Sequence, residues 1–217
     1  MNIKVKICGL MDSQTALKAV EFGADAIGLV FAESKRKVTP DKAQEIVSCL
    51  PAKVMKIGVF VNETKEEIER IASLVGLTHI QLHGEESASF SQSLPLAVVK
   101  AISFKDNETL EEIAQFPAEY ILLDGPKGKY RGGNGTSFDW RQVNTLILKE
   151  KKVILAGGLH LENVTEAIQI INPYMVDVSS GIETNGGKDL VKIKAFIEKV
   201  KTIQNGGKQN EHLYITE

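Results

Sequence analysis

Residues 55–82 read MKIGVFVNETKEEIERIASLVGLTHIQL and contain one complete structural unit. Met55–Phe60 is an apolar run of strand length, and His79–Leu82 is a second. Between them Lys65–Leu74 carries apolar residues at helical spacing. Asn62 and Thr64 precede the acidic first turn Glu66-Glu67, and Gly76 sits where a glycine cap is expected after the last turn. Strand, amphipathic helix and strand in that order are the building block of a parallel sheet with a helical crossover.

The unit recurs in both directions along the chain. Strands are expected at Ile3–Ile7, Ala26–Phe31, Met55–Phe60, His79–Leu82, Ala97–Ile102, Tyr120–Leu123, Val153–Leu155 and Met175–Val178. Helices are expected at Ser13–Phe22, Pro40–Leu50, Lys65–Leu74, Ser87–Ser93, Glu108–Gln115, Trp140–Leu148, Leu161–Ile171 and Gly187–Ile203, with Thr39-Pro40 as a cap followed by a first-turn proline and Gly23 as a terminal glycine. Eight strand–helix units in strict alternation predict an α/β fold, a single-domain (β/α)₈ TIM barrel over residues 1–203; an open doubly wound sheet is the alternative for the same alternation. The polar stretch 204–217, with Gly206-Gly207, is expected to form a frayed tail.

Composition narrows the function by exclusion. The 217 residues carry a net charge of −2, with 43% hydrophobic and 25% charged residues. That is enough apolar material for one sizeable core, and the balanced charge gives no electrostatic footprint for nucleic acid or anionic lipid. The apolar runs are too short to span a bilayer, and Met1 leads into Ile3-Lys4-Val5-Lys6-Ile7 without the pattern of a signal peptide. Two cysteines, Cys8 and Cys49, suggest neither a disulfide framework nor a zinc site. Cys49 reads as a small buried apolar residue of the second helix, and a reduced, cytoplasmic setting follows.

In a barrel of this kind the chemistry lies at the C-terminal ends of the strands. There the chain places Cys8-Gly9, Arg36 between Lys35 and Lys37, Gln81 and His83 before Gly84, Asp124-Gly125, Gly157-Gly158, and Ser179-Ser180-Gly181. A thiol and a carboxyl at strand ends are a plausible proton-transfer pair. Glycines and N–H groups in the last two loops suit a phosphate, which barrels often hold after strands 7 and 8 with a short extra helix. The longest loop, Pro126–Ser137, carries Gly128, Gly132, Gly133 and Gly135. Phe138 and Trp140 read as packing anchors around an Asp139 cap.

Taken together, Lys6-Ile7-Cys8-Gly9-Leu10, Gln81-Leu82-His83-Gly84, Leu123-Asp124, the run Gly132–Trp140, Leu155–Leu159 and Asp177–Glu183 resemble phosphoribosylanthranilate isomerase, from strand 1 through helix 8. The resemblance implies a TIM barrel of tryptophan biosynthesis that needs no metal or organic cofactor. It implies an Amadori rearrangement of N-(5-phosphoribosyl)anthranilate to 1-(2-carboxyphenylamino)-1-deoxyribulose 5-phosphate. Asp124 is then the acid that protonates the ring oxygen, and Cys8 the base that removes the C2′ proton. Arg36 would hold the anthranilate carboxylate, Gln81 and His83 would contact substrate, and Gly157, Gly158, Ser180 and Gly181 would hold the phosphate. The sequence departs from the family pattern at Asn134 and Thr136, and at Gly186, a place often held by proline.

An unperturbed thiol is mostly protonated at neutral pH, so a cysteine base needs help. Side chains alternate along a strand, and Lys4, Lys6 and Cys8 therefore share one face. Lys6 is expected beneath Cys8, where it could stabilise the thiolate. Two competing readings stand beside the isomerase. One is the related sugar-phosphate isomerase of histidine biosynthesis, which normally has an aspartate in place of Cys8 and a second phosphate site. The other is a catalytically silent phosphate-binding barrel. The expected partner is a phosphorylated small molecule, without nucleic acid or membrane; oligomeric state is not legible in the sequence.

Overall fold

The computed structural model describes residues 3–125 and 138–210, the last seven by backbone alone. Eight parallel strands close into a barrel in sequence order: β1 (Lys4–Cys8), β2 (Ala26–Val30), β3 (Met55–Phe60), β4 (His79–Leu82), β5 (Ala97–Ser103), β6 (Tyr120–Asp124), β7 (Lys152–Leu155) and β8 (Met175–Val178). The seam is sealed by β1 against β8, with Lys6 opposite Asp177. Helices α1 (Ser13–Glu21), α2 (Pro40–Ser48), α3 (Lys65–Val75), α4 (Ala88–Gln92), α5 (Asn107–Ala114), α6 (Val164–Ile171) and α7 (Leu190–Asn210) lie between and after the strands. The expected caps form: Thr39 and Thr64 accept from the N–H groups of Lys42 and Glu67, and Gly76 ends α3 with φ of 74°.

Three expectations change. The helix expected over Trp140–Leu148 is two 3₁₀ turns, Trp140–Gln142 and Thr145–Leu148. Between them Val143 is extended and the Asn144 side chain caps the second turn, so a short polar side chain competes with a continuous helix. Cys49 is exposed rather than buried. It follows the last residue of α2, off the buried stripe of Ala43 and Ile46, and its thiol points at the Glu45 carbonyl. Gly187 and Lys188 belong to a small hairpin, β9 (Glu183–Thr184) with β10 (Gly187–Lys188), in place of an early start to the last helix. Helix α7 in turn runs past Ile203 to Asn210, and 211–217 lie outside the described residues.

Alternation of side chains divides the interior into two cores. Outward residues such as Val5, Ile7, Ile27, Leu29, Ile80 and Ile121 pack under the helices in one large cluster. Inward residues Ala26, Ile57, Val99, Leu122, Ile154 and Met175 fill the barrel itself. Above that apolar layer the inward positions turn polar, with Lys6, Gln81 and Asp177 all buried. One step further along the same strands come Cys8, His83 and Ser179, and from β6 comes Asp124. The parity of the strands sets the depth of the site residues that the strands carry.

Candidate active site

A cavity of about 490 Å³ opens at the C-terminal end of the barrel. Its lining includes Cys8, Arg36, Gln81, His83, Asp124, Gly157, Gly158 and Ser180, so eight of the nine expected site residues share one space. The ninth, Gly181, stands just behind, its backbone bridged to His160. The glycine loop Pro126–Ser137, with Asn134 and Thr136, lies outside the described residues.

Cys8 ends β1 with its thiol against β2. A Cβ at Gly28 would sit 2.6 Å from the Cys8 sulfur, so the absence of a side chain at Gly28 creates the seat of the thiol. Lys6 lies below as its parity requires. It is fully buried, and its Nζ donates to Asp177 Oδ2 at 2.8 Å and to Gln81 Oε1 at 3.0 Å. Burial disfavours the Lys6 ammonium, but Asp177 and Cys8 outweigh that and hold its pKa above the ordinary lysine value. At Cys8 the balance runs the other way. Burial pushes the thiol up and Asp177 adds to it, while Lys6 and Lys188 oppose without overcoming them. Two cations thus stand where they oppose the effect of burial and support the thiolate.

Asp124 ends β6. Its Oδ1 accepts from the Gly125 N–H at 2.8 Å, and its Oδ2 lies 3.4 Å from His83 Nε2. His83 reaches in from the end of β4, with its Nδ1 3.2 Å from the Gln81 side-chain nitrogen.

Arg36 is bound more tightly than its basic loop suggests. Its Nε and Nη2 donate to Glu183 Oε1 and Oε2 at 2.6 and 3.0 Å, a two-pronged pair with both side chains buried. Lys188, across the hairpin, donates to Glu183 Oε1 at 2.8 Å, and Lys35 adds a third cation at 3.3 Å. Burial works against the Glu183 carboxylate, but Arg36 and Lys188 prevail and bring its pKa down to about 2. The Arg36 stem crosses Gly9, where φ is 75° and a Cβ would lie 2.4 Å from Arg36 Cδ. Only glycine suits that position, because it accepts the left-handed backbone and leaves the space.

On the far side Gly157 and Gly158, both at positive φ, turn the chain after β7. Asn163 fastens them through a 2.9 Å bond from its Nδ2 to the Gly158 carbonyl. After β8 the described residues form the β9–β10 hairpin, at a place where barrels often have a short extra helix. Its turn, Asn185-Gly186, has φ of 53° and 82°, the pattern of a type I′ turn. That explains the departure at Gly186, since proline cannot take a positive φ.

Sequence reasoning missed Glu183, Lys188, Asp177 and Gly28 as site residues. Asp177 was recoverable from parity, two residues before Ser179 on an inward face. Glu183 and Lys188 flank an Asn-Gly pair, the strongest short hairpin signal, which would have set them opposite each other.

A closed barrel whose mouth joins a thiol, a carboxyl, a guanidinium and a glycine loop defines an acid–base enzyme for a small anionic substrate. Residues 5–199 match the model of the N-(5'-phosphoribosyl)anthranilate (PRA) isomerase family. A curated relative of that name from Bacillus cereus strain B4264 is 51% identical over 200 residues, covering 92% of this chain and 98% of its own. The crystal structure of phosphoribosyl anthranilate isomerase from Thermotoga maritima superposes with a TM-score of 0.85 at 40% identity, covering 92% and 99% of the two chains. A crystal structure of a phosphoribosyl anthranilate isomerase in complex with reduced 1-(o-carboxyphenylamino)-1-deoxyribulose 5-phosphate gives a TM-score of 0.80 at 40% identity, covering 92% and 99%. The chain belongs to the N-(5'-phosphoribosyl)anthranilate isomerase family.

Proposed function

We propose that the chain catalyses the Amadori rearrangement of N-(5-phosphoribosyl)anthranilate in tryptophan biosynthesis, with Asp124 as acid and Cys8 as base. The observation that supports these residues acting together is the shared cavity. Cys8, Asp124, Arg36 and the Gly157-Gly158 loop line one volume of about 490 Å³, within the range of small-molecule sites. Opening the furanose ring requires a proton delivered to the ring oxygen, which Asp124 supplies to give a Schiff base. Isomerisation requires a proton removed from C2′, which Cys8 accepts. The enolamine that results tautomerises to the ketone.

Arg36 offers its guanidinium to the anthranilate carboxylate while Glu183 fixes its orientation. Gly157, Gly158, Ser180 and Gly181 hold the phosphate, and Gln81 and His83 stand on the substrate side of β4. One further observation favours a substrate with a single phosphate. Between the ends of β3 and β4 the N–H groups of Asn62 and Gly84 are taken by the Glu86 carboxylate, which also pairs with Lys100 at 2.8 Å. The protein's own carboxylate thus occupies the donors that a second phosphate would need there. No helix among the described residues is long and apolar enough to cross a membrane, and we place the activity in the cytoplasm.

The test is direct. Adding the protein to freshly made phosphoribosylanthranilate is expected to abolish its anthranilate-type fluorescence. An unchanged signal with folded protein would remove the isomerase reading.

A further inference from the structure

We propose that Gln81 is a positioning residue that fixes the tautomer of His83 and thereby aims a ring N–H at Asp124. The proposal rests on the assignment of Asp124 as the acid. It begins at Lys6, whose ammonium has donors and no acceptor. The side-chain atom of Gln81 that faces it at 3.0 Å must therefore be the oxygen, because the amide nitrogen would set donor against cation. Gln81 is buried and held between two partners, so its orientation is fixed from below.

The other end of the amide follows. The Gln81 NH₂ points at His83 Nδ1 across 3.2 Å. A donor there requires an acceptor, so Nδ1 carries no proton and the ring proton sits on Nε2. That nitrogen lies 3.4 Å from Asp124 Oδ2, long for a hydrogen bond but with the donor on the correct atom. The Gly125 N–H holds Oδ1 at 2.8 Å. The Gly125 N–H thus meets Oδ1 directly while His83 Nε2 stands near Oδ2, and both can answer the charge left on Asp124 after it gives up its proton. The polarity of the chain Lys6, Gln81, His83, Asp124 runs one way, from the barrel floor to the acid. Lys6 thereby acts on both halves of the reaction, through its charge at Cys8 and through amide orientation at Asp124.

The test reads the ring nitrogens. The chain has four histidines, and ¹⁵N-histidine labelling with a His83→Asn variant assigns the His83 signals. In its neutral form the wild-type ring is expected to show an unprotonated Nδ1 and a protonated Nε2. In Gln81→Glu both side-chain oxygens accept, so Nδ1 is expected to gain a proton. The value of kcat is expected to fall at least about tenfold with KM within about threefold. Gln81→Met, which keeps the length and removes the amide, is expected to mix the tautomers. A protonated Nδ1 in the neutral wild-type ring overturns the proposal, as does unchanged turnover in folded Gln81→Glu. Should that variant not fold, the wild-type spectrum decides alone. Failure of the isomerase reading would show separately, as a wild type that leaves phosphoribosylanthranilate untouched.

Discussion

The barrel floor holds Lys6, Gln81 and Asp177 on β1, β4 and β8, whereas the rim holds Arg36, Glu183 and Lys188 on a loop and a hairpin. Each cluster places one cation against Cys8 and ties that cation to a carboxylate. The floor is built on barrel strands, where loss of one partner leaves the other buried charge uncompensated. The rim is carried by a loop and a hairpin, and its side chains are nearly as buried, but there three cations share one carboxylate. The difference teaches a division of labour: the floor fixes protonation and orientation, and the rim fixes the substrate carboxylate.

Lys6→Met should produce the largest effect. It strands the Asp177 carboxylate in the barrel and is expected to cost about 3–5 kcal/mol in denaturant unfolding. Adding Asp177→Asn should recover much of that loss. In folded protein the Cys8 thiol should react with alkylating agents only at higher pH than in the wild type. Identical reactivity profiles would remove Lys6 from the thiolate's support.

Glu183→Gln, the matching lesion at the rim, should cost less, about 2 kcal/mol, because the amide oxygen can still accept from Arg36 or Lys188. Its signature should be kinetic, a KM raised about tenfold with kcat little changed, as expected for lost ground-state positioning. Equal stability losses for the two variants would erase the contrast between floor and rim.

The pH dependence sharpens the same contrast. Glu183 titrates at about 2 in the folded chain and near its ordinary 4.5 when unfolded. Its stabilisation is therefore complete above about pH 5 and is lost as pH falls from there towards 2. The melting-temperature gap between wild type and Glu183→Gln should be flat above about pH 5 and close below it. At the other end of the scale kcat/KM should rise with pH as the Cys8 thiol, held up by burial, ionises. Lys188→Met should move that limb to still higher pH.

The smallest effect is expected at the hairpin turn. Gly186→Ala should cost about 1 kcal/mol for a side chain at positive φ, read as a modest fall in melting temperature. Gly186→Pro should disrupt the Glu183–Lys188 pairing and reproduce the KM effect of Glu183→Gln.

The same division explains what the sequence made legible. Barrel closure, strand positions and the place of Lys6 beneath Cys8 follow from alternation, which is local and has a period of two. Thr39, Thr64 and Gly76 announce helix ends through groups that act on their own neighbours. What failed was in part local and in part the work of distant contacts. Cys49 was misplaced because α2 stops short of it, and the segment after Trp140 has helical spacing but breaks at Val143-Asn144. Arg36 was legible as a residue, while its partner Glu183 comes from 147 positions away and no local pattern joins them.

The most direct measurement is steady-state kinetics of Cys8→Ala beside Asp124→Asn on phosphoribosylanthranilate. The expected result is a comparable loss of kcat in both, about 10³-fold or more, with modest changes in KM, and an Asp124→Asn pH profile that lacks the limb of the acid. Near wild-type turnover in either variant, or a pH profile unchanged by Asp124→Asn, would contradict the pairing of thiol and carboxyl as base and acid.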